Sequence, residues 1–475
     1  MARPSWKIWF ALLGVPAIVI VGALSYVAWR QSVPGVRAEI TPVPRAIGSR
    51  TPLALTLRAA RGGVATAEVT LVQGDMRATA GRHEFSPGGP NDQRLDLSVD
   101  ARALGLREGA AILEVRARDG FWRPLRVDDR PVLTVPITVD LTPPVVEVLS
   151  ATRYLAQGGG GIVVFRARGA ARVGVNVGGI FFPAYPAGGP DADVLVSLVA
   201  VPYDFPTTSP VAVTAQDEAG NGTTRPVPLE IKPRVFPRDR IEISEAFLAR
   251  KLPELLPGGE AAGADQLLAG FLVVNRDQRK AAETTRRQIA ARTEPRPLWQ
   301  GSFIQPRNSK VFSNFAETRT YVYKGKVVDT QVHFGYDLAS LRNSPVPAGN
   351  AGTVVWVGPL SIYGTVVVLD HGLGLQSLYA HMSSVDVKDG DRVTRGQILG
   401  RTGTTGLALG DHLHYEVLIH GISVTPLEWW DAKWIRDHIG KPLREARVPL
   451  LESEQAGVPP PAAAGAPARR RSRAR

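Results

Sequence analysis

The 475-residue chain contains no cysteine. That excludes a disulfide framework and any thiolate metal site, and it leaves the compartment unreadable from thiols. Histidine is scarce, at eight residues. Acidic residues are outnumbered, 44 against 56 Lys and Arg, which gives a net charge of +12 and a pI near 10.0. Such a balance fits nucleic acid, an anionic membrane surface or an acidic polymer, or simply a coding bias toward arginine. A phosphate-binding loop is also missing. The glycine run Gly158 to Gly161 has no Lys-Ser/Thr after it and no helix signal, so it reads as a hairpin and argues against a nucleotide role. What is present is ample apolar content, 44%, for folded cores, and a length that suits two to four domains.

Half of the eight histidines fall in three short clusters between Gln331 and Val417. The first is Gln331-Val-His333-Phe-Gly-Tyr-Asp337, the second Leu378-Tyr-Ala-His381-Met, the third Gly410-Asp-His412-Leu-His414-Tyr-Glu416. Zinc explains such a grouping, because it takes neutral imidazole nitrogen and carboxylate oxygen and prefers four ligands. With cysteine excluded, histidine and aspartate are the donors left. Residues 333 and 337 share a face in a helix or in an extended segment, and the flanking residues favour the extended form. His412, His414 and Glu416 alternate within a strand-like run, so all three project from one face. One imidazole of such a pair can bind the metal while the other reaches the water or substrate beside it.

These three motifs, in this order, make residues 299–430 resemble the lysostaphin/LytM-type zinc endopeptidases, which cut peptide bonds in bacterial peptidoglycan. The matching features are the H-x-x-x-D of His333 and Asp337, the Y-x-H of Tyr379 and His381, and the H-L-H-Y-E of His412 to Glu416. Glycine-rich connections at Tyr363-Gly364 to Gly372 and Gly390 to Gly400 match too. The resemblance implies one zinc ion held by His333, Asp337 and His414. It implies that His381 and His412 are a catalytic pair that does not bind the metal. One takes the proton of the water and the other stabilises the oxyanion or protonates the leaving amine; we read His412 as the general base and His381 as its partner, with the reverse division left open. It implies a mainly β domain and peptidoglycan as the partner. His371 reads as structural. Glu416 reads as either an orienting neighbour of a ligand histidine or a solvent-facing strand residue. Tyr379 reads as a substrate hydrogen-bond donor or as packing, and Arg319 and Asn314 as possible cleft residues.

The expected fold class is mainly β and multidomain. Residues 1–33 read as a cytoplasmic stub and transmembrane anchor, since Ile8 to Trp29 is an uncharged run of about 22 residues, long enough to span a bilayer. A cleaved signal peptide competes, but the run is long for one and no clear cleavage site follows. The expected arrangement is a single pass through the inner membrane with the bulk of the chain in the periplasm. Residues 34–140 and 141–235 alternate apolar and polar residues in short runs between Gly/Pro/Asn/Asp turns, as β-sandwich modules do. Pro136 suits an edge strand. The "LTPP" at 141–144 and "AQDEAGN" at 215–221 resemble immunoglobulin-like modules of bacterial surface proteins, which implies spacers or contact surfaces for cell-wall, division or elongation proteins.

Residues 236–297 read as a helical linker with Ser244 as an N-cap, and the charge-dense stretch 276–292 reads as a solvated helix face. Residues 298–440 form the zinc peptidase domain. Residues 441–475 read as a disordered Pro/Ala/Arg tail, for which an anionic wall or lipid headgroups fit better than nucleic acid. Two functions follow from the site: a membrane-anchored zinc endopeptidase acting on peptidoglycan cross-links, or a non-catalytic scaffold of the same fold that activates another wall hydrolase. The presence of all five site residues favours the enzyme.

Overall fold

Short alternating apolar runs govern the N-terminal half, and a computed structural model of the chain turns them into paired sheets. The structure describes residues 14–125, 130–256 and 264–451. Two compact units emerge: residues 1–145 with 168–173 and 214–224, and residues 146–167, 174–213 and 225–475.

In the first unit a helix spans Val15–Ser32 with its apolar side chains exposed, among them Ile18, Val19 and Ile20. The apolar run expected to cross a membrane begins at Ile8, so part of it lies outside the described residues. No described helix is long and apolar enough to cross a membrane. After the helix, Thr51–Arg58 is flanked by Arg37–Ile40 and Asp92–Val99 in a three-stranded antiparallel sheet. A five-stranded sheet orders Ala46–Ile47, Leu133–Val139, Gly109–Asp119, Val64–Gln73 and Met76–Glu84. Alternation in these strands sends Leu53, Leu55 and Leu57 from one sheet and Leu71, Leu113 and Val139 from the other into one core. Pro136 pairs with Ile112 on one side, while the short neighbour Ala46–Ile47 reaches only Thr138 and Val139 on the other. The missing N–H of Pro136 therefore costs no ladder bond.

In the second unit, Gly160–Arg168 and Val194–Ala200 are antiparallel and buried along most of their length. Their unbroken apolar runs suit strands covered on both faces. Gly160 lies against Ile419 and Trp429, so this sheet is packed on the C-terminal domain. That domain is built on an eight-stranded sheet. Its main path runs Lys310–Ser313, Tyr336–Ala339, Leu413–Ile419, Leu375–Ala380, Thr365–Asp370, Gly352–Pro359 and Arg392–Val393, with Ile422–Val424 paired beside Leu413–Ile419.

The helical segment covers one face of this sheet. Helix Glu245–Leu255 is capped by Ser244, whose side chain accepts from the Phe247 N–H at 3.2 Å. Helix Ala264–Leu272 continues through a π turn, Val273–Gln278, into helix Arg279–Ile289. Phe247, Leu248, Leu252, Phe271 and Val274 share a core with Val366, Val368, Leu378 and Leu418 of the sheet. The charge-dense stretch is not a wholly solvated face. Ala282, Arg286 and Ile289, spaced four and three apart, form its buried stripe. After Trp430 the chain forms short turns of helix, ending in Lys441–Glu445 with Leu443 buried. Residues 452–475 of the expected tail lie outside the described residues.

Candidate metal centre and catalytic cleft

Three strands bring the first and third motifs together. His333 ends strand Lys326–His333, Asp337 lies in Tyr336–Ala339, and His414 lies in Leu413–Ile419, directly opposite Asp337 across the ladder. Gly335 makes the crossing possible. A Cβ there would sit 2.6 Å from the Tyr415 carbonyl oxygen and 2.8 Å from the His414 ring. Only a residue without a side chain lets the backbone pass this close.

The orientation of each ring follows from what its outer nitrogen touches. His333 Nδ1 is 2.9 Å from the Asn314 carbonyl oxygen. A carbonyl only accepts, so Nδ1 carries the proton and Nε2 is left with a lone pair. His414 Nε2 is 2.9 Å from Oε1 of Glu416, so the same logic leaves Nδ1 bare. Those two bare nitrogens are 2.9 Å apart, and each is 3.0 Å from Asp337 Oδ1. With both rings neutral, three acceptors converge with no donor between them; burial opposes a charge on His414, but its bonds to Asp337 and Glu416 raise it, so the cluster draws in either a proton or a metal ion. In a buried setting that arrangement calls for a cation. The three residues form a group able to hold a metal, their ligand atoms all within 4.8 Å of one another. Two imidazoles and a carboxylate are a donor set that zinc accepts, with a fourth position left for water.

The supporting contacts hold this geometry. Arg319 donates to Oδ2 of Asp337 and to Ser313 Oγ, each at 2.6 Å, which leaves Oδ1 for the cluster. Burial alone would raise the Asp337 carboxyl, but His333 and the other histidines outweigh it and hold it well below the usual carboxylate range. Burial lowers His333 and keeps it neutral. Glu416 is fully buried, which excludes the solvent-facing reading of that residue. Burial opposes its charge, yet Arg286 and His414 hold it down to about 2.

The remaining two histidines stand beside the cluster. His412 Nδ1 donates to the Gly410 carbonyl at 2.7 Å, and His381 Nδ1 donates to the Thr405 carbonyl at 2.8 Å. Both rings therefore present a bare Nε2. Their centroids are 4.8 Å apart, and His412 Nε2 is 3.5 Å from Asp337 Oδ1. Burial and the neighbouring His412 and His414 rings keep His381 well below the ordinary histidine range, hence neutral. His381 has φ 60°, a left-handed conformation uncommon for a residue with a side chain. Such strain concentrates where a side chain must be aimed.

A cavity of about 390 Å³ opens onto this group. Asp337, His381, His412 and Arg319 line one side, and Phe247 and Phe271 of the helical segment line another. The cleft thus has a polar floor and an apolar wall.

The five sequence-derived residues all meet here. His371 does not join them. It is fully buried, with Nδ1 2.7 Å from the Ala351 carbonyl and Nε2 2.7 Å from Ser377 Oγ, and burial pushes it to about 4. Tyr379 pairs with Tyr415 on the opposite face of the sheet from His414, and its hydroxyl accepts from the Gly349 N–H at 2.7 Å. It packs rather than lining the cleft. Asn314 contributes its backbone carbonyl, and Arg319 its guanidinium. Arg286 was concealed by its charged neighbours, although its place on the Ala282–Ile289 stripe was a signal for it.

Residues 331–426 match the profile of Peptidase family M23. The C-terminal part of this chain therefore carries an M23 peptidase domain. A DD-carboxypeptidase/endopeptidase Mpg of Neisseria meningitidis serogroup B is 37% identical over 97 residues, 20% of this chain and 22% of that protein. Peptidoglycan DD-endopeptidase ShyA of Vibrio cholerae is 34% identical over 119 residues, 25% of this chain and 27% of that protein. The chain thus spans only about a quarter of the length of these curated relatives. Among solved structures, the catalytic domain of lysostaphin from Staphylococcus simulans is 28% identical, with TM-score 0.22, covering 26% of this chain and 92% of that one.

Proposed function

We propose that this protein is a zinc-dependent endopeptidase that hydrolyses peptide cross-links of peptidoglycan. The observation that carries the reading is the convergence of His333 Nε2, His414 Nδ1 and Asp337 Oδ1, with two further imidazoles offering bare Nε2 atoms alongside. The endopeptidase names of the relatives support the substrate class.

His333, Asp337 and His414 would hold the zinc ion. When bound, zinc supplies a Lewis acid that polarises a carbonyl and acidifies water. His412 acts as general base: its Nδ1–H is fixed to Gly410, so Nε2 takes the proton from the attacking water. His381, fixed through Thr405, turns a bare Nε2 to the cleft, and only after taking up a proton there does it serve the developing oxyanion or the leaving amine. Arg319 keeps Asp337 turned into the cluster, and the apolar wall of Phe247 and Phe271 limits water around the scissile bond. The chain is anchored in the inner membrane through its N-terminal apolar run, with the peptidase domain in the periplasm. The N-terminal sheets serve as immunoglobulin-like spacers or as contact surfaces for wall-assembly proteins. The +12 net charge suits an anionic wall.

The test is release of soluble muropeptides from purified peptidoglycan by the full chain in detergent. Release that disappears with a chelator, returns with zinc, and is lost in His414→Ala supports the enzyme. A zinc-replete chain that releases nothing but binds and stimulates a separate wall amidase establishes the scaffold instead.

A further inference from the structure

Arg286 stands in the helix Arg279–Ile289, upstream of the stretch that matches the family. It sits in a run rich in Arg, Lys and Gln, yet its side chain is 6% exposed, facing a Glu416 side chain at 0%. Its Nη1 pairs with Glu416 Oε2 and donates to Ser423 Oγ at 2.9 Å, and the guanidinium lies 5.5 Å from the centroid of Phe334, the residue after His333. Ser423 Oγ also donates to Glu416 Oε2 at 2.9 Å. One carboxylate oxygen is thus fully engaged, and Oε1 is the one left to accept from His414 Nε2 at 2.9 Å. That bond in turn aims His414 Nδ1 at His333 and Asp337. The chain of contacts runs from a helix to the centre of the site in two steps, through buried groups only.

The same helical segment also touches the other half of the site. Lys251 Nζ donates to the Thr404 carbonyl, and Glu254 Oε1 accepts from the Gly406 N–H at 3.2 Å. Between those two residues lies Thr405, whose carbonyl fixes His381.

We propose that Arg286 is a positioning residue of the metal centre. Acting through Glu416, it fixes the His414 ring, which makes the helical segment part of the catalytic unit. The proposal rests on reading His333, Asp337 and His414 as the metal-binding set. Outer contacts of this kind change metal affinity by about 10–100-fold when removed.

The test measures zinc affinity, apart from activity, by competition with a chromogenic chelator. It uses the full chain and the variants Arg286→Met, Arg286→Lys, Glu416→Gln and the double variant Arg286→Met/Glu416→Gln. Arg286→Met should bind zinc about 10–100-fold more weakly. Arg286→Lys should fall between it and wild type. The double variant should be no weaker than the weaker single variant by more than about 3-fold, because both changes cut one chain of contacts. Zinc affinity equal to wild type in folded Arg286→Met, or losses that multiply in the double variant, overturns the proposal. Should Arg286→Met fail to fold, Arg286→Lys and Ser423→Ala carry the test, and wild-type affinity in both overturns it. A wild-type chain that takes up no zinc overturns the functional reading as well, so the two failures are distinguishable.

Discussion

Replacing Glu428 by Gln should flatten the fall in stability between about pH 5 and pH 8. Glu428 lies in the short helix Pro426–Trp430. The residue is partly exposed, but its carboxyl group turns inward against Gly159 and accepts the Gly160 N–H at 2.9 Å. Burial pushes the carboxyl from 4.5 up to about 8, with the Gly160 bond and Arg234 opposing only in part. Between those two values the folded chain holds a proton that the unfolded chain releases. Stability is therefore full below the unfolded value, and falls as pH rises toward the folded one. Each pH unit costs about 1.4 kcal/mol, so the whole interval costs on the order of 5 kcal/mol. Gln keeps an acceptor for Gly160 and cannot ionise. Urea unfolding followed by the fluorescence of Trp429 and Trp299, both buried beside this junction, reads the difference directly. Wild type and Glu428→Gln should be close at pH 5, and the variant should be the more stable by several kcal/mol at pH 8. Parallel curves across this range would refute the reasoning.

Gly335→Ala should leave the far-UV circular dichroism unchanged but weaken zinc binding by at least about 10-fold, because the new methyl meets the Tyr415 carbonyl and the His414 ring below van der Waals distance; calorimetric zinc titration checks it. His371→Ala removes a ring that satisfies both Ala351 and Ser377, and should cost roughly 2–4 kcal/mol in urea unfolding. Its zinc affinity should remain that of wild type, since the ring stands apart from the cluster. Arg319→Met should lower zinc affinity by about 10-fold or more, because Asp337 loses the donor that fixes its outer oxygen; the same chelator competition measures it.

The residue types and spacings of the site were legible without coordinates because zinc restricts its ligands to a few side chains, and because a strand's period of two puts His412, His414 and Glu416 on one face. The N-cap at Ser244 was legible for a similar reason: its bond to Phe247 spans three residues. Alternation likewise foretold the sheets that bury Leu53, Leu55 and Leu57. Each of these depends on neighbours along the chain. Arg286 was not legible, since its partner lies 130 residues away and its own neighbours are charged. Nor was the packing role of Tyr379, which depends on which strand lies beside it. The direction of every imidazole in the cleft also came from the tertiary structure. Backbone carbonyls of Asn314, Thr405 and Gly410, and the carboxylate of Glu416, set which nitrogen is bare. Chemical identity and local period are properties of the sequence. A tautomer or a buried ion pair exists only once groups far apart in the chain are pressed together away from water, where an unmatched proton or charge is too costly to leave unpaired.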